Sequence, residues 1–302
     1  GHMNRVVRHA IDCGCDPLIA IQMATINTAC HFGMERELGS ITPGRRADFI
    51  VTSSIDDLPI DAVFARGECV AENGKLLAKC PHYEWPQAVR KTVNLGKKLE
   101  HRDFVISVPA GLTSIKAKVI GVIENQAPTK ALEFDLPVEQ GKVRVEGDVC
   151  YLSLVERHRG TGAVVNGFVS GFGYTGSMAI ASSVAHDSHH MIVVGTNQEM
   201  MASAANRLGE IGGGVSVWKD GSEVALVELP IAGLMSDSKA SEVAVKAQAI
   251  VTAMIDCGCT LNNAYMQHTL LALVVIPELR ISDLGLVDVN RFELTEVLES
   301  NS

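Results

Sequence analysis

The sequence of 302 residues lacks an apolar run long enough to cross a bilayer, for which a helix needs about eighteen residues or more. Aromatic side chains are also scarce, at 5%, and Lys and Arg are dispersed in a chain whose formal net charge is −9. Phosphate backbones are bound by clustered basic side chains. Neither a membrane nor nucleic acid is therefore expected as a partner, whereas a nucleobase, which carries no phosphate, is not excluded.

A secretory signal is absent ahead of the cysteines, which predicts reduced thiols in a cytoplasmic protein. Gly1-His2-Met3 could be a tag remnant or native sequence. The segments Cys13-Gly14-Cys15 and Cys257-Gly258-Cys259 could bind a soft metal, but each follows a helical pattern and places glycine where helices commonly end. The pattern favours two helix ends. The eight cysteines are Cys13, Cys15, Cys30, Cys69, Cys80, Cys150, Cys257 and Cys259.

Apolar periodicity predicts an α+β protein, with helices at the start, a small β unit at 39–79, and a larger mixed region after about residue 100. Asp16-Pro17 predicts the start of a helix that continues to Gly33, and Asn73-Gly74 predicts a hairpin turn. In the larger region we expect strands at 103–108, 115–123, 143–146, 150–156, 163–168, 178–184 and 190–195, helices at 197–211 and 238–257, and a hairpin at 215–229.

The stretch "LGSITPGRRADFIV" (38–51) follows a predicted helix and contains a Pro43-Gly44 turn ahead of a strand. This pattern, G-x-I-x-P-G-x-x-A-D, resembles the point in amidohydrolases where the catalytic barrel passes into a small β-sandwich. Further along, "VERHRGTGAVVNGFVSGFGYTGSMAIASSVAHDSHHMIVVG" (155–195), "LPIAGLMSD" (229–237) and "VIPELRISDLGLVDV" (275–289) resemble the C-terminal domain of bacterial adenine deaminases.

The resemblance implies three regions: terminal helices of a (β/α)₈ barrel at 1–36, a small β-sandwich unit and connector at 37–100, and the adenine deaminase C-terminal α+β domain at 101–302. It also implies a hydrolase that converts adenine and water into hypoxanthine and ammonia, through a hydroxide activated by a divalent metal. Manganese or iron, or alternatively zinc, is the implied metal, and a homo-oligomer is the implied assembly.

The metal ligands of the family include a His-x-His motif and come from barrel strands. The sequence contains no His-x-His. We therefore expect this chain to be the C-terminal part of an adenine deaminase and to be inactive alone. Two alternatives stay open: a non-catalytic interaction or oligomerisation module, and part of another amidohydrolase that acts on cyclic amides.

Three histidines and an aspartate fall within five positions of "SSVAHDSHHM" (182–191), namely His186, Asp187, His189 and His190. His186, Asp187 and His189 are the candidate catalytic residues. An auxiliary metal site could combine His186, His189 and His190 with Glu156 and His158, because imidazole and carboxylate are suitable ligands. The alternative interpretation is a purely structural role, as a polar turn between two strands. If the cluster is functional, we expect it to face the barrel mouth of the complete enzyme.

The run Gly171-Phe172-Gly173-Tyr174-Thr175-Gly176 matches G-x-G-x-x-G. A dinucleotide site requires this motif to open a helix, whereas the following "SMAIASSV" reads as a strand. We therefore predict a glycine-rich bend and no dinucleotide cofactor. Ser182 and Ser183 lie outside any nucleophile-elbow pattern.

Overall fold

The structure is a computed structural model that describes residues 2–79, 81 and 83–299. The chain divides into two compact units, Gly1–Glu84 and Trp85–Ser302. Helices and strands are mixed in both units, which confirms the α+β class.

The first unit begins with three helices, α1 (Met3–Asp12), α2 (Pro17–Met23) and α3 (Ile26–His31). A small antiparallel sheet follows, with the order β1 (Phe49–Val51), β2 (Ala62–Ala65), β3 (Glu68–Glu72) and β4 (Lys75–Leu76). Asp16 caps α2 by accepting hydrogen bonds from the N–H groups of Leu18 and Ile19. Asn73 and Gly74 both have positive φ and form the predicted hairpin turn.

The first unit has little core of its own. Among the described residues, its buried apolar cluster consists of Val7, Ala20 and Leu58. Large apolar side chains are instead exposed along the helices, the sheet and the loops. They include Met3, Val6, Leu18, Ile19, Met23, Phe32, Ile41, Ile50 and Ile55.

The second unit is built on a nine-stranded sheet with the order β13-β12-β10-β11-β8-β9-β5-β6-β7. Within the described residues its neighbouring strands are antiparallel, except that β5 and β9 are parallel. The strands are β5 (Ser114–Val122), β6 (Thr129–Glu139), β7 (Lys142–Val143), β8 (Cys150–Val155), β9 (Val164–Ser170), β10 (Met178–Ser182), β11 (Met191–Gly195), β12 (Gly214–Lys219) and β13 (Ser222–Glu228).

Helices cover both faces of this sheet. The helix α4 (Gln198–Ile211) packs on one face, whereas α5 (Ala240–Asp256) and α6 (Ala264–Leu270) belong to the apolar core on the other. Successive strand residues point to opposite faces, so Ile180 contributes to one core and Ala181 to the other. A small sheet of β14 (Leu279–Ser282), β15 (Gly285–Asp288) and β16 (Glu293–Thr295) follows, and Leu279 and Ile281 join the core with α5.

Most predicted elements of the second unit are confirmed, but one expected strand is wrong and two elements were missed. The strand expected at 103–108 is absent there, and a short 3₁₀ helix spans His101–Phe104 instead. The long strand β6 and the helix α6 were not expected from the sequence. In the first unit, the helix expected to run from Pro17 to Gly33 is broken at Ala24-Thr25, where the Thr25 hydroxyl donates to the Ile21 carbonyl.

The glycine-rich run 171–176 forms a bend and leads into strand β10, as predicted. The carboxylate of Asp148 organises this bend by accepting hydrogen bonds from the N–H groups of Gly171 and Gly173 at 2.5 and 2.6 Å. Both Cys-Gly-Cys segments follow helix ends, with Gly14 and Gly258 at positive φ. The described cysteines are free thiols, and Cys80 lies outside the described residues.

Among the described residues, no helix has the length and apolar character that a membrane span requires.

Candidate functional site

The histidine turn connects β10 to β11, as the pattern predicted, and three loops meet it in addition to helix α6. They are the loop that follows β8, the loop around Ala232 and the turn between β14 and β15. These segments belong to the stretches "VERHRG", "LPIAGLMSD" and "RISDLG". Stretches far apart in the sequence therefore form one local structure.

Arg157 joins three of these segments. Its side chain is 1% exposed, and its guanidinium donates hydrogen bonds to the carbonyls of His189 (2.5 Å), Ser183 (3.4 Å) and Ala232 (3.2 Å). Burial lowers its pKa from the ordinary arginine value, although the group stays charged. No carboxylate partner of Arg157 occurs among the described residues. Backbone carbonyl dipoles stabilise this buried cation.

Gly233 permits this close packing. A Cβ atom at residue 233 would lie 2.8 Å from Nη1 of Arg157, and the residue has φ of +72°. The hydroxyl of Ser183, itself fully buried, donates to the Gly233 carbonyl at 2.6 Å. The loop that contains Gly233 is thereby fixed against both Arg157 and the end of β10.

Glu156 holds the loop that follows β8. One carboxylate oxygen accepts the N–H groups of His158 and Arg159, and the other accepts the N–H and the hydroxyl of Thr161. Burial raises the pKa of this carboxyl, but the hydrogen bonds from Thr161, Arg159 and His158 outweigh burial and bring the pKa down to about 2. Four donors occupy the lone pairs of this carboxylate.

The exposed His158 and the buried His190 form a pair of rings at the turn. The rings of His158 and His190 have centroids 4.7 Å apart, and Nε2 of His158 lies 2.8 Å from the Ser188 carbonyl. Nε2 of His190 lies 3.6 Å from the Asp283 carboxylate, whereas its buried Nδ1 has no partner among the described residues. Burial lowers the pKa of His190, against the attraction of Asp283.

His186, Asp187 and His189 lie at the surface of the turn. Asp187 is exposed, and the two histidines are half-buried with ring centroids 5.3 Å apart. The N–H of His186 donates to the Thr269 carbonyl of α6 at 3.1 Å, and Nδ1 of His189 accepts the N–H of Ala185 at 3.3 Å. Burial lowers the pKa of His189, and the charge of Arg157 adds to this effect against the attraction of Asp187.

The arrangement does not fit a metal site. Among the described residues, no group of three or more His, Cys, Asp or Glu side chains is placed to hold an ion. Glu156 would have to give up backbone hydrogen bonds to become a ligand. Metal binding by His186, His189, His190, Glu156 and His158 thus has no geometric support and stays a prediction.

The structure brings all six candidate residues into one neighbourhood, but it separates them by depth: His186, Asp187 and His189 face outward, whereas Glu156 and His190 are buried. Sequence reasoning missed Arg157, Ser183, Thr269 and Asp283. A weak signal existed for Arg157, since it lies only two residues after a mostly apolar strand, where a charged residue is uncommon.

Similarity to known protein families shows the class of protein to which this chain belongs. Residues 1–70 match the model of the amidohydrolase family, so the chain combines an amidohydrolase-related segment with the α+β unit described above. More narrowly, residues 126–293 match the adenine deaminase C-terminal domain, and the chain belongs to that family. The resemblance noted in the sequence is confirmed.

Relatives named adenine deaminase align along nearly the whole chain. One from Ruegeria pomeroyi is 70% identical over 302 residues, and one from Roseobacter denitrificans is 69% identical over 300 residues. A more distant one, from Moorella thermoacetica, is 43% identical over 300 residues. Each alignment covers 99% of this chain but 50% of the relative. The chain thus spans about half the length of these relatives.

Proposed function

We propose that this chain is the C-terminal half of a metal-dependent amidohydrolase that deaminates adenine to hypoxanthine and ammonia. The observation that supports this function is the identity of 70% to a protein named adenine deaminase across 99% of the chain. In the complete protein, residues 1–36 would be terminal helices of the (β/α)₈ barrel, 37–100 the small β unit and connector, and 101–302 the C-terminal domain. We place the complete protein in the cytoplasm as a homo-oligomer.

The chemistry requires a metal, and the residues described here do not fit one. We therefore assign the ion, manganese or iron or alternatively zinc, to the half of the protein outside this chain. Within this chain, the residues that we assign to the reaction are those of the histidine turn, positioned at the mouth of the barrel. Their contribution would be to bind and orient the base, whereas hydroxide formation belongs to the other half.

The experiment compares the purified 302-residue chain with a protein that carries both halves, using hypoxanthine formation from adenine as the readout. We expect turnover by the longer protein after loading with Mn²⁺, loss of turnover after chelation, and none from the 302-residue chain. Hypoxanthine production by the 302-residue chain would contradict the assignment of the metal to the other half. An inactive, metal-loaded longer protein would contradict the proposed reaction.

A non-catalytic role in assembly is the second candidate function, and the outer side of α5 favours it. Val245 is 72% exposed, Val251 and Ile255 are exposed too, and the uncharged Ser241, Gln248 and Thr252 share that side. Light scattering on the longer protein distinguishes the two functions when combined with the assay. A defined oligomer without any deaminase activity would favour the assembly role.

A further inference from the structure

We propose that the turn formed by His186, Asp187 and His189 is a binding site for the edge of a planar nitrogen heterocycle. The Nε2–H group of His189 is the donor, and the carboxylate of Asp187 is the acceptor. The identification of the heterocycle as adenine or its deaminated product rests on the proposed function.

The donor follows from the hydrogen bonding of His189. Because its Nδ1 accepts the N–H of Ala185 at 3.3 Å, the ring proton lies on Nε2. Burial and the nearby charge of Arg157 keep the pKa of this imidazole below its ordinary value. At neutral pH the ring is therefore an uncharged N–H donor, and Nε2 bonds no other group among the described residues.

The acceptor is the carboxylate of Asp187. This side chain is exposed, and it accepts no hydrogen bond from any residue that the structure describes. It lies two residues before His189 on the same turn. The surface of this one turn thus carries a hydrogen-bond donor and an acceptor.

The turn is held rigidly from beneath. Arg157 binds the carbonyl of His189, Thr269 of α6 binds the N–H of His186, and His158 binds the carbonyl of Ser188. His189 has φ of +52°, in the left-handed region. A buried arginine with carbonyl partners is a costly way to fix a surface turn, which is why we infer a ligand rather than a purely structural role. The geometry is present before a ligand binds.

This pair of groups selects the chemical class of the ligand. It complements an edge that presents an acceptor beside a donor, such as the ring nitrogen and exocyclic amine of adenine, or the carbonyl and ring N–H of hypoxanthine. Phosphate is disfavoured because Asp187 repels an anion. A lone cation is disfavoured because the N–H of His189 points a positive dipole at it.

The test titrates adenine into the complete 302-residue chain with ¹³C-labelled histidines and follows the ring signals by NMR. We expect saturable shifts for His186 and His189, with His189→Gln serving to assign the signals. Asp187→Asn should weaken binding by about tenfold, because it removes a charged acceptor. The matched control is Asp135→Asn, which removes an exposed carboxylate from β6 and should leave binding unchanged.

Hypoxanthine should bind in the same way as adenine, whereas unsubstituted purine, which lacks the exocyclic group, should bind about tenfold more weakly. No shift up to the solubility limit of adenine overturns the proposal, and so does equal binding by the Asp187→Asn and wild-type chains.

The longer protein separates this proposal from the proposed function. There, Asp187→Asn should raise KM for adenine by about tenfold while kcat changes little, since the lost contact is one of binding. If the longer protein is active and Asp187→Asn leaves KM unchanged, the binding site is contradicted and the proposed function is supported. If adenine shifts the histidine signals but the longer protein does not deaminate adenine, the binding site is supported and the proposed function is contradicted.

Discussion

Buried polar side chains are concentrated in the second unit, and His268 is the extreme case. It lies on α6, is fully buried, and neither ring nitrogen has a hydrogen-bond partner among the described residues. Burial lowers its pKa to about 3. The ring contacts the core near Phe172, with centroids 6.1 Å apart. The same helix supplies the Thr269 carbonyl that holds His186.

The buried His268 should contribute to the pH dependence of the free energy of unfolding. Its pKa in the folded state is below the ordinary value of 6.5, so the unfolded chain binds the proton more readily. Stability therefore falls as pH drops from 6.5 towards about 3, by up to ~1.4 kcal/mol per pH unit. We expect His268→Leu to reduce this slope, measured as the free energy of unfolding in urea at a series of pH values.

The control for that measurement is His101→Leu, a substitution at an exposed histidine outside the core. Above pH 6.5 the His268→Leu chain should be at least as stable as wild type, because it removes two buried nitrogens without partners. Identical pH slopes for the wild-type and His268→Leu chains would contradict the role assigned to the imidazole.

At the scale of secondary structure, local signals succeeded where a side chain or glycine sets the boundary. Asn197 and Gly212 bound α4, and Asp220-Gly221 forms the turn between β12 and β13, as expected. Strand β6 was missed although its apolar residues alternate from Leu132 to Val138, because a proline within a run, here Pro137, argues against a strand. The helix α6 was missed because it is only seven residues long and has no side-chain cap among the described residues.

Capping distinguishes the two long helices. The Asn197 side chain accepts the N–H groups of Glu199 and Met200 at 3.0 Å, whereas Lys239 gives α5 no side-chain cap among the described residues. Asn197→Ala should lower the free energy of unfolding by about 1 kcal/mol, and Lys239→Asp should raise it by about 0.5 kcal/mol or more. Urea denaturation measures both changes.

Lys239→Ala separates the two contributions at α5, because it removes the positive charge without adding a cap. Lys239→Ala should raise the free energy of unfolding by less than Lys239→Asp does. Equal effects of the two substitutions would show that capping contributes nothing at this helix.

The two units of the molecule differ in the size of their apolar cores. The second unit has two large apolar cores, one on each face of its sheet, whereas the first has the small cluster of Val7, Ala20 and Leu58 among the described residues. An apolar cavity of about 770 Å³ opens in the first unit, lined by residues that include Met3, Val7, Phe49, Ile50 and Phe64. This unit exposes the kind of surface that folded proteins cover.

We therefore expect residues 85–302 to unfold cooperatively when produced alone, and residues 1–84 alone to show no cooperative transition. Circular dichroism during thermal denaturation measures both, and binding of a hydrophobic dye reports the exposed surface. The 302-residue chain serves as the reference. A cooperative transition in the 1–84 segment would show that its small core suffices.

The linear pattern was enough to identify the family, the α+β class, the capped helices and the location of the histidines in a turn, because these depend on local chemistry and on short motifs. The sequence could not show which of these side chains are buried or which groups they bind. Glu156 is structural because four donors from its own loop converge on it, and Arg157 matters because it binds carbonyls from segments tens of residues away. Such contacts depend on long-range packing, which periodicity and spacing do not encode.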